Sequence, residues 1–338
     1  MNDEVTNNII NKYISDNLSP TEEQRNYITE KYEELHAFLS GNCFQTGSYA
    51  RFTAGNPVHD LDTFHPVKDA SIKDDPSIVI GALYGLLEKA YSESTITKIK
   101  GISIQTHSVT IEFADAPQGE FNIDIVPAIE LDEKNEYGDP LYCVPEILLL
   151  NKHNRQRRYE AAENKSMSWI KSDPRGYIKA ASDLNKKNSA FRHTSKWLKS
   201  WRHACKLIYG DDFHLKSFHL EQIIFNYFIE HPDTTTLEAA IGCMGSLPTF
   251  LDKPQFPDRA DPEVFIDGYI TGLSPADRRL ILRLQAEAYD ILRKIPGCMT
   301  EQEVISRIKE FLAVKKQSSP SSSTPPSRTI IPPPMWGN

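Results

Sequence analysis

Long apolar runs are missing from this 338-residue chain. None approaches the roughly 20 residues that a helix needs to cross a bilayer. The opening stretch, MNDEVTNNII, also lacks the basic-then-apolar order of a secretory leader. Cysteine is sparse: Cys43, Cys143, Cys205, Cys243 and Cys298 are scattered, odd in number and form no C-x-x-C pair. That excludes a disulfide framework as the expected design and fits a reducing cytoplasm. Positive charge is in deficit, with 38 Lys and Arg against 46 Asp and Glu and a net charge of −8. Binding along a nucleic acid needs a basic footprint, so a long duplex is not an expected partner, and neither is a membrane. A small anion held with metal ions suits an acidic protein better. No G-x-x-x-x-G-K-[ST] element occurs, which disfavours a P-loop NTPase. His203, Cys205, His214 and His219 match no standard zinc spacing, and Cys143, followed by Val144-Pro145, shows no base partner.

What is present reads as two differently built halves. Ser19-Pro20-Thr21-Glu22 offers an N-cap, a proline at the first helical position and an early carboxylate, predicting a helix to Leu39 closed by Gly41-Asn42. Alternating or β-branched segments follow at Cys43–Gly47, His59–His65, Ile96–Gln105, Ser108–Phe113 and Phe121–Val126, with a helical period over Ile78–Ser92. The first half is therefore an α+β unit on a mixed sheet. Beyond Pro145 strand signals fade. Helices are predicted over Ala190–Tyr209, Ser217–Glu230, from Ser274-Pro275-Ala276-Asp277 to Pro296-Gly297, and from the capping box Thr300–Glu303 to about Val314. The division expected is 1–150, 151–315 and a Ser/Pro-rich tail over 316–338 that buries little and is expected to be disordered.

The most informative stretch is TGSYARFTAGNPVHDLD, residues 46–62. Residues i and i+2 of a strand share a face, so Asp60 and Asp62 project together while Leu61 and Thr63 turn away. Two like charges on one face are costly unless a cation lies between them. In FNIDIVPAI, Phe121, Ile123 and Ile125 face a core and Asp124 the opposite side. If the two strands are neighbours, Asp124 joins Asp60 and Asp62. Three hard oxygen donors suit Mg²⁺ or Mn²⁺, and two such ions clamp the attacking and leaving oxygens of a phosphoryl transfer. Gly47-Ser48 forms a tight turn ahead of Tyr49-Ala50-Arg51 and presents backbone N–H groups and a hydroxyl to an anion. Eleven residues separate Ser48 from Asp60. On the helix over 190–209, at about 100° per residue, Arg192, Lys196, Lys199, His203 and Lys206 fall within an arc of about 80°. Such a stripe is a solvated face or the counter-charge to a triphosphate.

These words also resemble a known family. G-S-x(11)-D-L-D followed by F-N-I-D-I-V-P-A resembles the nucleotidyltransferases related to DNA polymerase β. W-L-K-S-W-R-H-A-C-K and L-K-S-F-H-L-E-Q-I-I resemble the L-K-x-W and S-[YF]-x-L-E elements of 2′-5′-oligoadenylate synthases and archaeal CCA-adding enzymes. Taken together, over about residues 20–315, the chain resembles the cGAS/DncV-like nucleotidyltransferases (CD-NTases) of bacterial CBASS anti-phage systems. One departure is Thr53-Ala54-Gly55, where Thr-Ala-Ile is common in the family.

The resemblance implies a polymerase β-like mixed sheet followed by an oligoadenylate-synthase-like helical domain, with the helix at 20–39 as a spine between them. It implies Gly47 and Ser48 as the phosphate turn and Asp60, Asp62 and Asp124 as the catalytic, metal-binding triad for two Mg²⁺ ions. It also implies Lys199 facing the triphosphate and Ser217 as the helical serine; Arg51 and Lys196 are further nucleotide-binding candidates. The implied activity is a cytoplasmic synthase that condenses NTPs, ATP the expected one, into a cyclic di- or trinucleotide read by a downstream effector. A ubiquitin-transfer-like protein that conjugates C-termini is an implied partner for the tail, where TIIPPPMWGN regains apolar content. Two alternatives stay open: a nucleotidyltransferase acting on a tRNA 3′ end or a protein hydroxyl, and a non-catalytic nucleotide-binding protein of the same fold.

Overall fold

The computed structural model of the chain describes residues 1–68, 75–94, 97–147 and 167–316. The tail beyond Lys316, with the docking and conjugation role expected of it, lies outside these residues, as does the expected boundary at 150/151.

Two helices, α1 (Asp3–Asn17) and α2 (Glu22–Phe38), precede the sheet. Strand β1 (Phe44–Thr46) runs into a single helical turn, α3 (Gly47–Ala50), and then β2 (Asp60–Pro66). After α4 (Pro76–Glu93) come β3 (Ile99–Ile104), β4 (Val109–Phe113) and the long β5 (Phe121–Lys134). A hairpin-like pair, β6 (Pro140–Ile147) and β7 (Met167–Ser172), completes a seven-stranded sheet. The order is β1-β2-β5-β4-β3, with β6 on the far half of β5 and β7 on β6. Only β2 and β5 are parallel among these pairs; the rest are antiparallel, so the sheet is mixed, as the alternating segments predict.

The second half is helical: α5 (Pro174–Lys187), α6 (Ala190–Tyr209), α7 (Ser217–Glu230), α8 (Thr236–Phe250), α9 (Pro275–Leu292) and α10 (Glu301–Leu312). Capping decides where several of them start. Ser274 and Thr300 each accept the amide of the third helical residue, Asp277 and Glu303, whose carboxylates reach back to the cap. The start of α2 differs from expectation: the cap is Thr21, not Ser19, because Thr21 and Gln24 satisfy each other's amides.

Period-2 burial makes one core. Leu61, Ile123, Ile125, Ile111 and Phe113 point to the face covered by α2 and α4 and pack with Ile28, Leu35, Leu83 and Leu87. Helical spacing makes the other. Trp197, Trp201 and Cys205 of α6 are buried against Phe213, Phe228 and Phe311. Helix α1 joins this second core through Ile10, Ile14 and Leu18, so the chain passes from one core to the other between Leu18 and Thr21.

Five elements lie outside the sequence expectations, and each has a physical reason. α1 is asparagine-rich, and its apolar stripe of Ile10 and Ile14 includes the buried Thr6 and Asn7. α8 contains two glycines and Pro248, and the Tyr227 ring lies over Gly242, 2.3 Å from where a Cβ would stand. β6 carries prolines at 140 and 145, yet Pro145 still pairs with Trp169 of β7. β7 is only six residues long, and the buried side of the Lys-rich α5 is made largely of the small residues Gly176, Ala180 and Ala181 with Leu184. Trp201, 1% exposed, touches both Phe213 and Phe311 edge or tilted. Trp201→Ala is expected to cost about 3–5 kcal/mol, read from urea unfolding of the whole chain.

Candidate active site

The parallel pairing of β2 and β5 aligns Asp60 with Asn122 and Asp62 with Asp124. Leu61 and Ile123 occupy the intervening position and are fully buried in the sheet core, so the acidic residues face the other way. That face forms the floor of a cleft of about 760 Å³. Its walls are the Gly47-Ser48 turn with Arg51 on one side, and Lys199, Arg202, His203, Ser217 and Glu221 of the helical half on the other. Eight of the nine candidate residues from the sequence thus meet here. Lys196 is the exception: it is absent from the lining, and its ammonium donates to Ser19 Oγ at 3.0 Å.

Gly47 is where local chemistry is most exacting. Its φ is +67°, and a Cβ would lie 1.7 Å from Asp62 Oδ2. The turn therefore presses its backbone onto the carboxylate, which only glycine permits. α3 spans four residues, so it offers first-turn amides rather than a long helix dipole. Thr53 closes the turn, its N–H donating to Ser48 O at 2.9 Å.

The carboxylates are electrostatically strained. Burial raises the pKa of Asp62, Arg51 and Lys199 oppose the shift, and Asp60 adds to it. Burial likewise pushes Asp124 up to about 6, although Thr110 Oγ1 donates to it, and the neighbouring Asp62 and Asp60 push the same way. Asp60 stands at the exposed rim, 3.4 Å from Asn122 Nδ2. Hard oxygen donors with raised pKa values are what a divalent cation relieves, so the donor set fits Mg²⁺ or Mn²⁺. Among the described residues, however, no three His, Cys, Asp or Glu side chains already converge on a point that would hold an ion.

The basic stripe divides. Lys199 and His203 line the cleft, while Arg192 stacks on Phe52 at 4.5 Å and Lys206 pairs with Asp211 at 3.0 Å. His203 stacks on His59 across the cleft, ring centres 5.5 Å apart. Arg51 is buried and bound to Glu221, its Nε 2.5 Å from Oε1, and Lys199 Nζ donates to Oε2 at 2.8 Å. Burial would raise the carboxyl of Glu221, but these two cations hold it down to about 2. Glu221 is a site residue beyond those that the sequence motifs single out. Its signal was present as the last letter of the S-[YF]-x-L-E element, one turn beyond Ser217. Cys205, His214 and His219 have separate surroundings. Cys205 is in the helical core, His214 lies 3.6 Å from Asp277, and His219 is hydrogen-bonded to the Tyr269 hydroxyl.

No protein-family model and no curated protein matches the chain. Solved structures do. The ATP-bound CdnC of E. coli MS115-1 superposes with a TM-score of 0.68 at 15% identity, covering 92% of this chain and 99% of that one. The same CdnC in a complex with HORMA-deltaN gives 0.66 at 15% identity, covering 92% and 98%. DncV of Vibrio cholerae, a cyclic AMP-GMP synthase and prokaryotic cGAS homolog, gives 0.51 at 16% identity over 80% of this chain and 68% of that one. The architecture is that of a nucleotidyltransferase. More narrowly, the chain has the fold of the cGAS/DncV-like nucleotidyltransferases, the CD-NTases. Among the described residues no helix is long and apolar enough to cross a membrane.

Two outcomes follow from this geometry. Gly47→Ala is expected to destabilise by about 2–4 kcal/mol, combining left-handed strain with the clash on Asp62, measurable by thermal melting. For Asp124, the folded carboxyl titrates near 6 against an ordinary 3.8, so the folded form retains its proton longer. Stability contributed by this group is highest below pH 4, falls as pH rises to 6 and is flat above. The loss is on the order of 3 kcal/mol. Asp124→Asn is therefore expected to stabilise the metal-free protein at pH 7.5 by about 1–3 kcal/mol and to show no such gain at pH 4.

Proposed function

We propose that the chain is an NTP-consuming CD-NTase that joins nucleotides into a cyclic di- or trinucleotide second messenger, releasing pyrophosphate, in anti-phage defence. One observation carries this reading: Asp62 and Asp124 are register partners on adjacent parallel strands, with the Gly47 turn against one and Lys199 across the cleft. The fold shared with NTP-bound synthases supports it, since CdnC is bound to ATP and the Elizabethkingia meningoseptica CdnE cyclic dinucleotide synthase to GTP and Apcpp. The lobes would be a catalytic one that carries the sheet and so runs past the expected boundary at 150 to β7, ending at Ser172, and a helical one from Pro174 onward, to whose core α1 adds Ile10 and Ile14.

In this scheme Asp60, Asp62 and Asp124 hold Mg²⁺, which when bound supplies Lewis-acid stabilisation of the phosphates. The amides and hydroxyl of Gly47-Ser48 bind the outer phosphates, and Lys199 supplies counter-charge from the helical side. Ser217, at the first turn of α7, faces the same space. The acceptor ribose hydroxyl lies beside Asp124, whose carboxylate takes its proton as the oxygen attacks the α-phosphorus. The bond to the bridging oxygen breaks and pyrophosphate leaves. Positioning and electrostatics carry most of the acceleration. By analogy with the fold, the protein acts in the cytoplasm with an effector that reads the product.

Asp60→Asn with Asp62→Asn is expected to lower Mg²⁺-dependent pyrophosphate release by more than about 100-fold with an unchanged circular dichroism spectrum. In parallel, each labelled NTP should give a phosphatase-resistant product with the wild-type protein. Label on co-purified RNA or protein instead would point to a macromolecular acceptor, and turnover retained in the double variant would displace the site.

A further inference from the structure

Glu221 joins two cations of the cleft wall, Arg51 and Lys199, to the residue that closes the phosphate turn, Thr53. Its Oε1 accepts from Arg51 Nε at 2.5 Å, 170 positions away in the chain. Its Oε2 accepts from Lys199 Nζ at 2.8 Å and from Thr53 Oγ1 at 2.9 Å. Arg51 and Thr53 are themselves the closing residues of the phosphate turn, their amides donating to Gly47 O and Ser48 O at 3.2 and 2.9 Å. Phe218, the residue after Ser217, lies under the Arg51 guanidinium, 5.0 Å from ring centre to carbon. One carboxylate on α7 therefore ties together the turn from the sheet half, the lysine of α6 and the start of its own helix.

Stability does not explain this arrangement. The three charged side chains keep only 2%, 9% and 10% of their exposure. Desolvating ions this thoroughly is costly, and apolar residues of similar volume often serve stability as well or better. An ion triad set into a cleft wall holds two cationic side chains around one carboxylate, with Glu221 opposing the burial that disfavours the charged form of Lys199.

We propose that Glu221 is a positioning residue that locks the Gly47-Ser48 turn to Arg51 and Lys199 and sets the positive charge offered to a nucleotide's polyphosphate. The proposal rests on the nucleotidyltransferase reading above and goes beyond it in assigning how the phosphate side is preorganised. Removing the charge while keeping the shape would leave two cations uncompensated, which favours anions but releases the turn. Keeping the charge while shortening the side chain would preserve the electrostatics and lose the simultaneous reach to Arg51, Lys199 and Thr53.

The two effects separate in one experiment on the full-length protein, combining calorimetric binding of inorganic pyrophosphate with steady-state release of pyrophosphate from ATP and Mg²⁺. Glu221→Gln is expected to bind pyrophosphate about tenfold more tightly and to lose at least about tenfold in kcat with KM unchanged or lower. Glu221→Asp is expected to bind pyrophosphate within about twofold of wild type and to lose at least about tenfold in kcat. A folded Glu221→Gln protein that binds pyrophosphate no more tightly overturns the charge-setting role. Should that variant fail to fold, the Asp variant decides, and wild-type kcat in it overturns the positioning role. A wild-type protein that neither binds pyrophosphate nor releases it from ATP overturns the nucleotidyltransferase reading itself, a different outcome from either.

Discussion

The parallel pairing of β2 with β5 is the constraint on which the rest of the molecule depends. It sets Asp62 beside Asp124 and Leu61 beside Ile123, so a single register decides both the acidic face and the buried one. A slip of one residue would turn every side chain over and drive the carboxylates into the apolar core. The register is held by the burial of Leu61, Ile123 and Ile125, together with β4 on the other side of β5. The cost of the alignment appears in the raised carboxyls of Asp62 and Asp124.

The helical half answers that charge. It brings Lys199 and, through Glu221, holds Arg51 in the wall. The two halves are joined by side chains from either end of the chain as well as by the backbone: Thr53 and Arg51 reach α7, Lys196 reaches Ser19, and His59 stacks on His203. The cleft is therefore a product of the packing of α6 and α7 against the turn after β1, and neither half contains it alone.

The fold class, the three aspartates and most helices were legible because each rests on a local rule. Period-2 patterning marked Asp60, Asp62 and Asp124, and capping residues marked the starts of α9 and α10. Glu221 and the fate of the basic stripe were less legible. A helical wheel assigns Lys196 and Lys199 to one face, but it cannot say that the first meets Ser19 and the second meets Glu221. α1 and α8 escaped because their stripes mix apolar residues with Asn, Thr, Gly and Pro whose burial depends on partners distant in sequence.

Taken alone, the sequence determined what is periodic or local: the faces of β2 and β5, the glycine at 47, the caps and the amphipathic α6. Only the tertiary structure decided which strand neighbours which, which half α1 joins, and which cations become fixed partners of a buried carboxylate. The physical reason is that backbone propensity and burial pattern act over a few residues. Charge compensation in a desolvated wall instead acts over a few ångströms of space between residues 170 positions apart.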